Sequence, residues 1–104
     1  MSPKNYYTLP EITFCTFIAR FGRSHFDEAD IHNFSGRSLS SIKMKVQNIA
    51  SMLHEAGYPT SNSVSRSAGE SGRKTNWDDV ISLNVFDKTE LLNKCKSIGI
   101  KTHY

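Results

Sequence analysis

One helical periodicity in the middle of this 104-residue chain constrains the fold more than any other feature. Between Ser38 and Pro59, apolar residues recur at the three- and four-residue spacing that places them on one face of an α-helix. They are Leu39, Ile42, Val46, Ile49 and Leu53. Ser38 is a suitable N-cap, and Gly57 followed by Pro59 is a stop signal. We therefore predict a long amphipathic helix over residues 39–56 with one face in a core.

The segment "TLPEITFCTFIARFG" near the start of the chain carries helix-start and helix-stop signals of its own. Thr8 and Glu11 form the capping-box pattern, and Gly22 marks the end of a helix over residues 8–21. Apolar residues lie on nearly all sides of this segment, which is typical of a helix buried in the centre of a domain.

A second, shorter helix is predicted over residues 26–34, between the other two. Either Ser24 or Asp27 is its cap, and Gly36 ends it. Acidic residues fill its first turn, where they suit the positive end of the helix dipole.

The composition changes after Pro59, because residues 60–76 are rich in serine and glycine and nearly lack apolar residues. This stretch is predicted to be a loop or linker, and a loop of this length in a small domain is usually functional or disordered. A short helix capped by Asn76 follows, and then a final helix over residues 88–98. The segments "ISLNVF" and "GIKTHY" are alternatives for short strands.

These patterns predict a mainly α fold in a single domain. Residues 1–59 form a helix-turn-helix or Myb-like core, because a short helix, a tight turn with glycine and a longer helix is the order of elements in that motif. Residues 60–76 form the Ser/Gly-rich loop. Residues 77–104 form a C-terminal helical segment that packs on the core.

The outward face of the long helix has the side chains of a nucleic-acid recognition helix. Opposite the apolar residues lie Ser40, Met44, Gln47, Asn48 and Ser51, with Lys43 and Lys45 on the two flanks and Arg37 just before the helix. From these residues we predict phosphate contacts by Arg37, Lys43 and Lys45, and base contacts by Ser41, Gln47 and Asn48. The alternative is an ordinary solvated face. Met44 either touches a thymine methyl group or is covered by the C-terminal helix, and cover is favoured.

Three further cations, Arg66, Arg73 and Lys74, lie in the predicted loop. Phosphate contact is a more plausible role for them than catalysis, and plain solvation is favoured over either. The formal net charge of the chain is +3, which is compatible with a nucleic-acid partner without requiring one.

No pattern for catalysis is found, so the protein is predicted not to be an enzyme and to need no cofactor. The four histidines and two cysteines lack metal-ligand spacing, and Cys15 and Cys95 are expected to be small core residues. No apolar run is long enough to span a bilayer, and the N-terminal residues lack the apolar region of a signal peptide. We therefore expect a soluble cytoplasmic protein without membrane contact.

The segment "GRSLSSIKMKVQNI" resembles an N-terminal module of bacterial restriction-type endonucleases, including those with an HNH nuclease domain and modification-dependent ones. The matching residues are Gly36, Arg37, Ser38, Ser41, Ile42, Met44, Lys45, Val46, Asn48 and Ile49. This resemblance implies a small helical DNA-associated domain. The sequence departs from the pattern near the first helix, where Tyr6 or Tyr7 lies in place of the usual tryptophan, and no nuclease domain is found.

Two functions of different classes follow from these observations. The first is a small non-catalytic DNA-binding protein whose partner is double-stranded DNA. The second is a phage or mobile-element inhibitor or adaptor, of the anti-restriction or anti-CRISPR type, which binds a bacterial defence nuclease complex through protein–protein contacts. Neither the oligomeric state nor a preferred DNA sequence is predicted.

Overall fold

Five helices follow one another along the part of the chain that the computed structural model describes, residues 7–64 and 76–102. Within these two ranges there is no β-strand, so the mainly helical prediction is confirmed and the two alternative strands are not found there. The helices are α1 (Leu9–Phe21), α2 (Glu28–Ser35), α3 (Leu39–Glu55), α4 (Trp77–Leu83) and α5 (Lys88–Ile98).

Helix α1 is the centre of the domain, as its nearly continuous apolar surface predicts. Every residue from 11 to 19 is buried, and the helix packs against each of the other four helices. Aromatic rings supply much of this core. The Phe17 ring stacks on Phe26 with 5.2 Å between ring centroids, and Phe14 meets Phe34 edge to face at 5.1 Å. Rings of this size bury large apolar areas and therefore dominate core packing.

Helices α3 and α5 both pack against α1, with α3 using the apolar face that its sequence predicts. Ile42, Val46, Ile49 and Leu53 are fully buried. Helix α2 packs mainly on α3 and only lightly on α1. No described helix is both long enough and apolar enough to cross a membrane.

The helix starts follow the predicted capping signals, with one exception. The capping box of Thr8 and Glu11 is present, Asp27 rather than Ser24 caps α2, and Asp87 forms a further capping box at α5. Asn76 is the N-cap residue of α4, as predicted, but its side chain makes no capping hydrogen bond. The Asn76 side chain instead accepts a hydrogen bond from Lys45, and its backbone takes a left-handed conformation.

The beginning of the predicted loop is anchored on the C-terminal end of α1. The Ser61 amide donates to the Ala19 carbonyl oxygen at 2.9 Å, and Val64 is only 3 % exposed within the core. Gly22 lies beneath this segment and is itself buried. Residues 65–75, which make up most of the loop, lie outside the described residues.

We predict that Gly22→Ala destabilises the protein more than Gly57→Ala. Both glycines have φ near +90°, but Gly22 combines it with ψ −163°, a conformation almost restricted to glycine. A Cβ at Gly22 would also lie 3.0 Å from the hydroxyl oxygens of Ser61 and Ser63, whereas one at Gly57 meets nothing within 4 Å. Urea unfolding should show a loss of about 3 kcal/mol for Gly22→Ala and about 1 kcal/mol for Gly57→Ala. Equal losses of unfolding free energy in the two variants would show that the contact of the added Cβ with the Ser61 and Ser63 hydroxyls is unimportant.

Candidate nucleic-acid interface

Arg37, in the three-residue turn between α2 and α3, is held by groups inside the domain. Its guanidinium pairs with the Glu11 carboxylate through Nε–Oε2 at 3.1 Å and Nη2–Oε1 at 2.9 Å. The same group lies 3.9 Å from the centroid of the Tyr7 ring, a cation–π distance. Only 17 % of the Arg37 side chain is exposed. Arg37, which the sequence predicts to contact a phosphate, therefore connects the α2–α3 turn to the start of α1.

The Glu11 carboxylate is the acceptor that brings these groups together. Glu11 is 5 % exposed. Its carboxylate accepts hydrogen bonds from Arg37 and, at 2.8 Å, from the Thr8 amide. Burial alone raises the pKa of this carboxyl, but the hydrogen bonds from Arg37 and from the Thr8 amide outweigh burial. The pKa of Glu11 consequently lies below its ordinary value, and the ionised form is the one that the fold stabilises.

The Tyr7 side chain lies next to three of the predicted site residues. Its hydroxyl is 2.7 Å from the Ser41 hydroxyl, and its ring centroid is 5.4 Å from the Lys45 ammonium, in addition to the Arg37 contact. Burial raises the pKa of the Tyr7 phenol, so the hydroxyl stays protonated. We refer to Tyr7, Glu11, Arg37, Ser41 and Lys45 together as the Tyr7 cluster.

Lys45 is buried rather than presented to solvent, being only 8 % exposed. Its Nζ donates to the side-chain oxygen of Asn76 at 2.9 Å, and burial lowers its pKa. Residues two apart on a helix do not face the same way, and the flank of α3 that carries Lys45 is occupied by Tyr7 and Asn76. A phosphate contact by Lys45, as the sequence predicts, would require that packing to open.

The other flank and the outward surface of α3 remain accessible in its N-terminal half. Ser40, Lys43 and Met44 are exposed, and Gln47 and Asn48 are half-buried. The side-chain amides of Gln47 and Asn48 form no hydrogen bond with any other residue in the described ranges. We call these five residues the outer face of α3. Ser51, which the sequence also places outward, is buried and interrupts this surface, and the side chains exposed beyond it in α3 are His54 and Glu55.

Met44 lies uncovered in the middle of this outer face, with 68 % of its surface exposed. The favoured prediction, that the C-terminal helix covers Met44, is therefore wrong. Helix α5 packs on α1 and makes few or no contacts with α3. The sequence predicts that one side of α5 is apolar, but it does not predict which helix packs against that side.

The carboxylates of Asp27 and Glu28, at the start of α2, lie beside Lys43. The sequence of α3 alone does not predict this feature. Lys43 and Gln47 line a shallow groove with Arg23, Asp27 and Glu28. Glu28 is buried and paired with Arg23 by two hydrogen bonds of 2.8 Å. Burial raises the pKa of Glu28, whereas the hydrogen bonds from Arg23 and the nearby charge of Lys43 lower it. The pKa of Glu28 lies below its ordinary value as a result. Arg23 thus neutralises the charge of Glu28. The Lys43 side chain is exposed.

The predicted site residues consequently separate into three groups. One group belongs to the Tyr7 cluster: Arg37, Ser41 and Lys45. A second group lies on the outer face of α3: Lys43, Gln47 and Asn48. The third group lies outside the described residues: Arg66, Arg73 and Lys74. Sequence spacing brings the first two groups onto α3 and the turn before it, but only tertiary packing decides which side chains solvent reaches.

Within residues 7–64 and 76–102, no three His, Cys, Asp or Glu side chains are arranged so that they could hold a metal ion. Comparisons of the chain with protein families, with curated protein sequences and with solved structures give no match.

The lowered pKa of Glu11 predicts a loss of stability in acid. A carboxyl whose pKa is lower in the folded state stabilises the fold at pH values above its unfolded pKa, ordinarily 4.5, and this contribution disappears as the pH falls through the folded pKa. Glu11→Gln should therefore lower the free energy of unfolding near pH 7 and weaken its decline below pH 4.5. Urea unfolding over a pH series measures both effects.

Arg37→Gln is the matched variant for this experiment. It leaves Glu11 buried without its cation, which should cost about 3 kcal/mol at neutral pH. The pKa of Glu11 should then rise, so the stability difference between this variant and the unmodified protein should shrink on acidification. A difference that stays constant with pH would show that Arg37 does not act through the ionised carboxylate.

Proposed function

We propose that this protein is a small non-catalytic DNA-binding protein, which places the N-terminal half of α3 in the major groove of duplex DNA. The outer face of α3 carries this proposal. It presents one exposed lysine and three side chains able to hydrogen-bond, Ser40, Gln47 and Asn48. Helix α3 also has no acidic residue before Glu55, so no carboxylate of its own would meet a phosphate there.

The arrangement of α2 and α3 is compatible with a helix-turn-helix type of docking. The two helices are in contact and are joined by three residues, Gly36 to Ser38. Turns of three to four residues that contain glycine are common between the helices of such motifs. In these motifs the N-terminal residues of the second helix contact the bases. Most of the outer face of α3 lies in this N-terminal half.

The outer face suggests a division of roles among its residues. Lys43 contacts a phosphate, and Gln47 or Asn48 pairs with an adenine, whose major-groove edge offers one donor and one acceptor. Arg37 and Lys45 hold the turn and the helix in place from the Tyr7 cluster. Arg66, Arg73 and Lys74 are further phosphate contacts in this proposal, although they lie outside the described residues. The resemblance to restriction-enzyme modules supports the same function.

A protein partner is the second candidate, and the mixed character of the surface around α3 favours it. Leu39, which is 37 % exposed, lines the Lys43 groove together with the Asp27 and Glu28 carboxylates and Arg23, and Met44 is an exposed apolar residue of the same helix. Such a mixture suits a protein surface better than a uniformly negative one. The partner would then be a bacterial defence nuclease complex, with this protein as an inhibitor or adaptor.

The two lysines of α3 give the sharpest test of the DNA proposal. Lys43→Gln should weaken binding to all duplexes and reduce the log–log salt slope by about 0.9, because one phosphate contact is lost, while the melting temperature stays unchanged. Lys45→Gln removes the same charge from a buried position. It should lower the melting temperature and leave the salt slope of the folded protein unchanged. Fluorescence anisotropy with a labelled duplex over a salt series, with thermal unfolding in parallel, measures these effects.

Two outcomes of this experiment oppose the DNA proposal. An unchanged salt slope in Lys43→Gln would show that Lys43 contacts no phosphate. Failure of the folded protein to bind any duplex at low salt would end the proposal and favour the protein partner.

A further inference from the structure

Met44 differs from all its neighbours on the outer face of α3. On a helix the nearest neighbours of a side chain lie three and four positions away. For Met44 these are Ser40, Ser41, Gln47 and Asn48, which are all polar and uncharged. An apolar side chain that is 68 % exposed thus lies in the middle of hydrogen-bonding groups, without a described helix over it.

The major groove of DNA offers one apolar group that such a side chain can recognise. Among the four bases only thymine carries a methyl group on its major-groove edge, at C5. Methionine suits this contact because it is unbranched and flexible, and its thioether needs no strong hydrogen bond. The amide groups of Gln47 and Asn48, one turn further along α3, match the adenine edge. The outer face therefore combines groups for both members of an A·T pair.

We propose that Met44 determines specificity by packing against the thymine methyl group, at a step next to an adenine read by Gln47 or Asn48. This inference rests on the proposed DNA-binding function and adds the class of sequence that the protein prefers. Removing one methyl group from water stabilises a contact by an amount equivalent to about a fourfold change in affinity. A preference of that size for each contacted thymine is expected.

The test uses two duplexes that differ only in the methyl group. One is a 20-base-pair alternating dA–dT duplex, and the other has deoxyuridine at every thymidine position. We expect the unmodified protein to bind the thymine duplex about fourfold more tightly for each methyl contacted. Met44→Ala should bind the two duplexes equally and retain its salt slope, because Lys43 is unchanged.

Val85→Ala is the matched control. Val85 is an apolar residue that is 77 % exposed, but it lies between α4 and α5 and outside the outer face. This variant should keep the preference for thymine over uracil. Thermal unfolding of both variants checks that the fold is intact, which is expected for exposed side chains.

The outcomes separate this inference from the proposed function. Equal affinity of the unmodified protein for the two duplexes would overturn the role of Met44 and leave DNA binding standing. A uracil effect that persists in Met44→Ala would also overturn it, since the preference would then come from DNA shape. Failure to bind either duplex would overturn the proposed function and this inference with it.

Discussion

The buried carboxylate of Glu11 is the interaction on which the arrangement of the first three helices depends. It caps α1 through the Thr8 amide, and the same oxygens accept the guanidinium of Arg37 from the α2–α3 turn. A carboxylate with so little exposure is tolerated only when its charge is paired and its oxygens are hydrogen-bonded. Both conditions are met here by residues that are far apart in the chain. The position of the first turn of α3 therefore follows from a charge located on α1.

This link gives the surface of α3 its asymmetry. The Tyr7 cluster occupies one flank of the helix and withdraws two cations from solvent, while the opposite flank keeps Lys43 exposed beside the balanced Arg23–Glu28 pair. Hydrogen-bonding groups therefore make up most of the outer face, and Lys43 supplies its positive charge.

The helices were largely predictable from sequence, because periodicity and capping are local properties. The spacing of Ile42, Val46 and Ile49 predicts α3, and the Thr8–Glu11 pair predicts the start of α1. The same local rules fail where a distant residue competes for a side chain. Asn76 is a reasonable cap for α4 by its position. Its side-chain oxygen instead accepts a hydrogen bond from Lys45, which is 31 residues away in the sequence.

The candidate site was less predictable for the same reason. A helical wheel gives Lys43 and Lys45 equivalent places on two flanks, and only the packing of Tyr7 distinguishes them. It likewise cannot tell that α5 lies on α1, which leaves Met44 exposed, or that α2 brings the Asp27 and Glu28 carboxylates beside Lys43. The capping boxes, by contrast, join residues three positions apart and are evident from spacing, whereas the Arg37–Glu11 and Arg23–Glu28 pairs are not.

The central position of α1 has a consequence for how the chain reaches this structure on the ribosome. Helix α1 is synthesised before the other four described helices and packs against each of them, including α5. Its apolar surface therefore stays partly uncovered until α5 has emerged. Contacts between such distant segments slow folding, and apolar surface that is exposed meanwhile promotes aggregation. Nascent chains of this protein should consequently be good substrates for chaperones that bind apolar segments, even though the finished domain is small.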